Sequence, residues 1–222
     1  AEQHARAETL LLNILPIETA ERLKSGERLI ADAAGDVSVL FADLVGSTSL
    51  ADTLSPGDLV AMLNRVFSAF DDLTDEFGLA KIKTVGDAYI AVGGLPTPDP
   101  NHLTSAAGLA LAFLAEIRRQ SIPGVGVLQV RLGLHVGPVV AGVVGKRKFS
   151  SDCWGDTVNT AARMESTGIP GEIQVTAAVR ERLHRQFDFQ SRGTIEVKGK
   201  GAMETYLLKP PSRDGHRAEP TI

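Results

Sequence analysis

Strand hairpins alternate with helical segments along this chain, and that order constrains the fold more than any other feature. From Asp36 onward, Val37, Val39, Phe41 and Asp43 share one face of a strand, while Ser38, Leu40, Ala42 and Leu44 share the other. A helix is expected from about Ser55 to Phe77, with Leu59, Met62, Leu63, Val66, Phe67 and Phe70 at helical spacing. Two apolar runs then meet at Gly86-Asp87, a hairpin signal. Asn101 is expected to cap an Ala-rich helix that ends at Arg119. The run "VLQVRLGLHVGPVVAGVVG" reads as two strands broken at Gly137-Pro138, and Asp156 as the N-cap of a helix in "GDTVNTAARMEST". Three short strands and one short helix complete the domain to Leu208. This order favours an α+β sandwich with a mainly antiparallel sheet over a Rossmann fold. No G-x-G-x-x-G opens a helix after the first strand, and no Walker A motif is present.

The chain has 222 residues, enough for one substantial domain with an extension. Residues 1–30 read as a helical segment, with Ala1–Leu15 as one helix, Pro16 as an interruption and "IETAERLKSGE" as a second stretch ending at Ser25-Gly26. Packing on its own domain and coiled-coil coupling to another are equal readings of that segment. The domain proper is expected over 31–209, followed by a polar, Pro-rich and disordered tail over 210–222. A net charge of −4 argues against a nucleic-acid or anionic-membrane binder. A single cysteine, Cys153, excludes a disulfide within the chain and fits a reducing cytosol. No apolar run approaches the ~20 residues that span a bilayer, and no basic-then-apolar leader opens the chain. The expected location is cytoplasmic. The start at Ala1, without Met, reads as a piece of something longer.

Two carboxylates interrupt apolar strand patterns. Asp43 continues an apolar face, where a carboxylate is costly to desolvate without compensation. Asp87 sits in the hairpin turn. If the hairpin lies beside the first strand, the two acids approach each other and repel unless a proton or cation intervenes. Two oxygen ligands with few other protein ligands suit Mg²⁺ or Mn²⁺, which complete their shells with water and phosphate. The plainer reading is one strand-end Asp and one turn Asp. Gly46, Ser47 and Thr48 follow directly, between strand and helix, where free backbone N–H groups form an anion site; the plainer reading is an ordinary N-cap. Asn159 and Arg163 are four apart and share a helix face, suited to a sugar and a phosphate or simply solvated. Asp152 precedes that helix, and Cys153 beside it reads as a small buried hydrophobe.

Together, "FADLVGST", "KIKTVGDAY" and "DCWGDTVNTAARMEST" resemble the class III nucleotide cyclase catalytic domain, from about Asp36 to Leu208. The resemblance implies an α+β, ferredoxin-like sandwich related to polymerase palms. It matches Asp43 and Asp87 to the metal-binding aspartates and adds the backbone carbonyl of Leu44. It matches Lys83 and Asp152 to the pair that recognises adenine, Asn159 to the residue that orients the ribose, and Arg163 to the arginine that stabilises the transition state. Arg131 resembles a phosphate-binding arginine and Lys198 a triphosphate-binding lysine. His135 is left as a structural histidine.

The activity so implied is adenylyl cyclase: ATP gives cyclic AMP and pyrophosphate with two Mg²⁺ or Mn²⁺ ions per active site. Asp152 can accept from the adenine amine, and Lys83 can donate to a ring nitrogen; guanylyl relatives carry a Glu and a Cys or similar residue instead. In this family the metal half and the base half of a site face each other across a dimer interface, which implies a homodimer with two composite sites. Residues 1–30 resemble the coupling element that precedes receptor-type cyclase domains, implying the cytosolic part of a longer, membrane-anchored protein with an upstream sensor. The alternatives are a guanylyl cyclase and a non-catalytic nucleotide-binding dimerisation module. A diguanylate cyclase would need a Gly-Gly-acidic-acidic-Phe turn where this chain has "VGDAY".

Overall fold

Alternation along the first long strand sets the layering of the molecule. The computed structural model describes residues 17–27, 30–122, 126–144 and 150–212. The helix expected over Ala1–Leu15, its coiled-coil reading and the tail beyond residue 212 lie outside the described residues. The elements run α1 (Ile17–Lys24), β1 (Ile30–Leu44), α2 (Ser47–Thr53), α3 (Pro56–Glu76), β2 (Ala80–Val85), β3 (Ala88–Gly93) and α4 (His102–Arg119). Then follow β4 (Ser121–Ile122), β5 (Gly126–Val127), β6 (Val130–Val144), β7 (Ser150–Trp154), α5 (Asp156–Ser166), β8 (Ile173–Thr176), α6 (Ala177–Leu183), β9 (Asp188–Val197) and β10 (Gly201–Lys209).

The main sheet has the order β2-β3-β1-β6-β8-β10-β9, with β7 also on β6. Only β6 and β8 pair in parallel, so the sheet is mainly antiparallel as expected. Leu40, Ala42 and Leu44 of β1 enter the larger core, with residues of α3, α4 and α6. Val37 and Val39 enter a smaller core on the other face, where Ala161 of α5 packs. The period of two in the sequence is thus the boundary between two helical layers. In the larger core Phe70 and Phe113 stack with ring centroids 3.7 Å apart, and Tyr89 meets both edge-on at 5.6 Å.

Local chemistry explains where the elements begin. Ser55 caps α3, its hydroxyl accepting from the Asp58 N–H at 3.2 Å, and Pro56 takes the first helical position, whose N–H needs no partner. At α4 Asn101 stands at the N-cap as expected, but its side chain makes no capping hydrogen bond. Asp99 instead closes the turn, accepting the Asn101 N–H at 2.8 Å on its side chain. At α5 the N-cap is Gly155, with φ 136°, and Asp156 is the first helical residue rather than the cap. Its acidic side chain pairs with Lys200 there.

The expected break at Gly137-Pro138 is also corrected. β6 is one strand of 15 residues through that point. Pro138 is tolerated because the β1–β6 register slips there: Val37 pairs with Gly137 and Ala34 with Val139, so Pro138 faces a bulge. β7 and β8 join β6 only at Val140–Val144 and Leu132–Leu134, so no ladder asks Pro138 for an N–H. At the base of the sheet, Ala20 of α1 packs with Ile30 and Val143, and Arg22 reaches Glu27 at 2.7 Å and also Asp32. Among the described residues, no helix is long and apolar enough to cross a membrane.

Candidate active site

The end of β1 and the β2–β3 turn bring two carboxylates side by side. Asp43 pairs in register with Ala88, the residue after Asp87, and the Leu44 N–H donates to the Asp87 carbonyl at 3.3 Å. The turn has two residues; Gly86 takes φ 62° at its first position, which glycine adopts without strain. Burial pushes the Asp43 carboxyl above its ordinary pKa, and the neighbouring Asp87 charge pushes the same way. A cation between the two would relieve both effects. The donors are carboxylate oxygens of Asp43 and Asp87. Among the described residues no three His, Cys, Asp or Glu side chains gather as a closed metal cage. Such a sparse, hard, all-oxygen set fits a hard divalent cation that retains water and phosphate oxygens.

Ser47 donates its hydroxyl to Asp87, which ties the start of α2 to the turn. Gly46 precedes α2 with φ 77°. The Thr48 side chain lies outside what the structure describes. Arg131, opposite Asp43 across the β1–β6 ladder, donates Nη2 to Asp43 Oδ2 at 2.6 Å and Nε to Glu165 Oε1 at 3.1 Å. Its guanidinium is therefore engaged by two carboxylates.

A second group lies toward β7 and α5. Lys83 of β2 forms an ion pair with Asp152 of β7, although the two are 69 residues apart in sequence. Asp152 is held in place by the Cys153 N–H, which donates to its Oδ1 at 2.9 Å. Asn159 is exposed on α5 and Arg163, one turn on, is half-buried. Lys198 stands exposed in the β9–β10 turn, whose Lys200 pairs with Asp156 at the start of α5. Burial draws the His135 pKa down to about 4, so its ring is neutral at pH 7; Nδ1 lies 2.8 Å from the Thr176 hydroxyl. Burial pushes the Cys153 thiol up to about 11, which keeps it a small hydrophobe.

A family model for the adenylate and guanylate cyclase catalytic domain matches residues 29–210. The chain belongs to the class III nucleotide cyclase family. This cyclase domain is 50% identical over 207 residues to a protein of Mycobacterium tuberculosis named "Adenylate cyclase", covering 93% of the chain and 47% of the relative. The chain thus spans about half the length of the curated relatives it matches first. Among solved structures it is similar to the guanylate cyclase domain of RhGC from Catenaria anguillulae in complex with GTP. That likeness has a TM-score of 0.79 and 34% identity, covering 82% of this chain and 100% of that one. It is also similar to the catalytic core of a rhodopsin-guanylyl cyclase with converted specificity, in complex with ATPαS. There the TM-score is 0.78 and the identity 36%, over 81% of this chain and 98% of that one.

One residue of the cyclase site escaped sequence reasoning. Glu165 follows Arg163 by two positions but lies on the buried face of α5, with its side chain only 11% exposed. Burial first, and the Asp43 charge second, push its carboxyl up to about 7. The signal was available: Glu165 is four residues after Ala161, so it shares the packed face, and a Glu there demands a cation from the strand beneath.

Proposed function

We propose that this domain is an adenylyl cyclase that converts ATP to 3′,5′-cyclic AMP and pyrophosphate at composite sites in a homodimer. The observation that carries the reading is the Lys83–Asp152 pair. It joins two side chains from distant parts of the sequence into one donor–acceptor couple of the polarity adenine requires. Asp152 accepts from the exocyclic amine and Lys83 donates to a ring nitrogen. Guanine, with a carbonyl in place of that amine, leaves the Asp152 oxygen facing another acceptor. The 50% identity to a protein named "Adenylate cyclase" supports the same choice.

In this reading Asn159 orients the ribose so that its 3′-hydroxyl lies in line with the α-phosphorus. The hydroxyl oxygen gives up its proton to water and forms the new bond to that phosphorus as the bond to pyrophosphate breaks. Arg163 offsets charge developing on the α-phosphate, and Lys198 pairs with the triphosphate. The backbone N–H groups of Gly46, Ser47 and Thr48 face the phosphates from the start of α2. Asp43, Asp87 and the Leu44 carbonyl would hold two Mg²⁺ or Mn²⁺ ions, which, when bound, make the 3′-hydroxyl more acidic and neutralise the leaving pyrophosphate. The metal half comes from one protomer, and Lys83, Asp152, Asn159 and Arg163 from its partner. Exposed apolar residues support a protein contact near the base half: Val140 and Trp154 face each other across β6 and β7 at 42% and 38% exposure. The segment Ile17–Gly26, docked at the base of β1, is proposed to couple upstream events to the sheet.

The test is product formation from ATP and from GTP in Mn²⁺ or Mg²⁺. Cyclic AMP should dominate. Exchanging the two base-recognition residues, Lys83→Glu with Asp152→Cys, should move the kcat/KM ratio toward GTP by roughly 10²-fold, below the ~10⁴-fold of a fully buried hydrogen-bonding site because the Lys83 side chain is 37% exposed. An unchanged ratio in a folded double variant removes these two residues from base recognition. A wild-type domain that binds ATP in a proven dimer yet releases no cyclic AMP would instead be a binding module.

A further inference from the structure

We propose that Arg131 and Glu165 are positioning residues for Asp43, so that α5, which serves one composite site with its outer residues, also sets the metal half of the other. The proposal rests on the reading of Asp43 as a metal ligand and adds a task for Arg131 to the phosphate binding that the family resemblance implies. Two observations carry it.

The first is registry. Arg131 pairs directly with Asp43 across β1 and β6, and its Nη2 lies 2.6 Å from Asp43 Oδ2. That bond fixes one oxygen of the carboxylate. A planar guanidinium held at a second point fixes the carboxylate's direction as well as its place. The second point is Glu165, whose Oε1 accepts from Arg131 Nε at 3.1 Å.

The second observation is rigidity. α5 rests on Gly133 of β6 so closely that a methyl group there would lie 2.1 Å from the Glu165 nitrogen and 2.6 Å from the Ala161 carbonyl oxygen. Backbone sits on backbone, and Glu165 has no freedom to drift from Arg131.

The assignment changes what variants should do. Glu165→Ala should weaken Mn²⁺ binding to the nucleotide-free protein, read from the free-ion electron paramagnetic resonance signal, by roughly 10–100-fold, the usual effect of losing a partner that orients a ligand. The Mn²⁺ concentration for half-maximal cyclic AMP formation should rise by a similar factor, while the KM for ATP at saturating Mn²⁺ stays near wild type. Glu165→Gln keeps an acceptor for Arg131 Nε and should fall between wild type and Ala. Arg131→Lys, which cannot bridge two carboxylates as a fork, should weaken Mn²⁺ binding to the nucleotide-free protein as Glu165→Ala does. A purely structural role would lower thermal stability and leave Mn²⁺ binding by the folded fraction intact. Unchanged Mn²⁺ binding in folded Glu165→Ala and Arg131→Lys overturns the proposal. If Glu165→Ala does not fold, Glu165→Gln and Arg131→Lys carry the test. Asp43→Ala keeps the two ideas apart: Mn²⁺ binding that survives it refutes the metal site itself, whereas binding lost there but kept in the Glu165 and Arg131 variants refutes only the positioning role.

Discussion

Asp43→Ala should lose cyclic AMP formation by on the order of 10³-fold or more, because several kcal/mol of charge stabilisation at the transition state depends on the site that this carboxylate forms. The fold should persist. Asp43 stands at the end of β1 with its carboxyl pushed above the ordinary range by burial and by Asp87, so its charge opposes folding rather than supporting it. Its loss leaves Arg131 with Glu165 as a partner, so no buried cation is stranded. The initial rate at saturating ATP and Mn²⁺, beside a thermal unfolding curve, checks both halves. A rate within tenfold of wild type at unchanged stability would remove Asp43 from the metal site.

Gly133→Ala should be among the most destabilising single methyl additions available to this chain. The new carbon would meet Glu165 N at 2.1 Å, Ala161 O at 2.6 Å and Glu165 Cα at 2.7 Å. All three are backbone atoms of one helix, so no side chain can turn aside and α5 itself must lift. Overpacking of this kind costs about 3 kcal/mol, the upper end of its usual range. For a domain of this size that lowers Tm by on the order of 10 °C. Activity should fall further than stability explains, because the lifted helix carries Asn159, Arg163 and Glu165 together. Gly35→Ala is the control, since a methyl there meets nothing within 4 Å. Equal melting curves for the two variants would mean that α5 does not depend on Gly133.

Much of this was legible in the chain because strand parity and turn chemistry are local. The alternation from Val37 to Leu44 gave both core faces, and it put Asp43 on the face that carries Val37 and Val39. Gly86-Asp87 gave a two-residue hairpin, and the hairpin's pairing with β1 followed from adjacency. What failed depended on partners far away in sequence. Pro138 looked like a strand break because its tolerance comes from a bulge on β1, about a hundred positions earlier. Asp156 looked like a cap because nothing local shows that Gly155 adopts φ 136° or that Lys200 waits for the carboxylate. Arg131 was legible as a cation near phosphate chemistry, yet its two carboxylate partners, Asp43 and Glu165, come from different elements. Lys83 and Asp152 needed the family resemblance to be paired at all, since no periodicity joins β2 to β7.

Each active site is proposed to be shared, with cations pinned by one copy and the nucleotide's base and ribose held by the other. Mixing Asp43→Ala protein with Arg163→Ala protein separates a shared site from a site within one copy. Each variant alone should be nearly inactive. Random exchange makes half the dimers mixed, and each mixed dimer holds one intact site of two, so roughly a quarter of wild-type activity should return. Mixed dimers shown to form by a tagged pull-down, yet with no activity above that of either variant alone, would contradict the shared site.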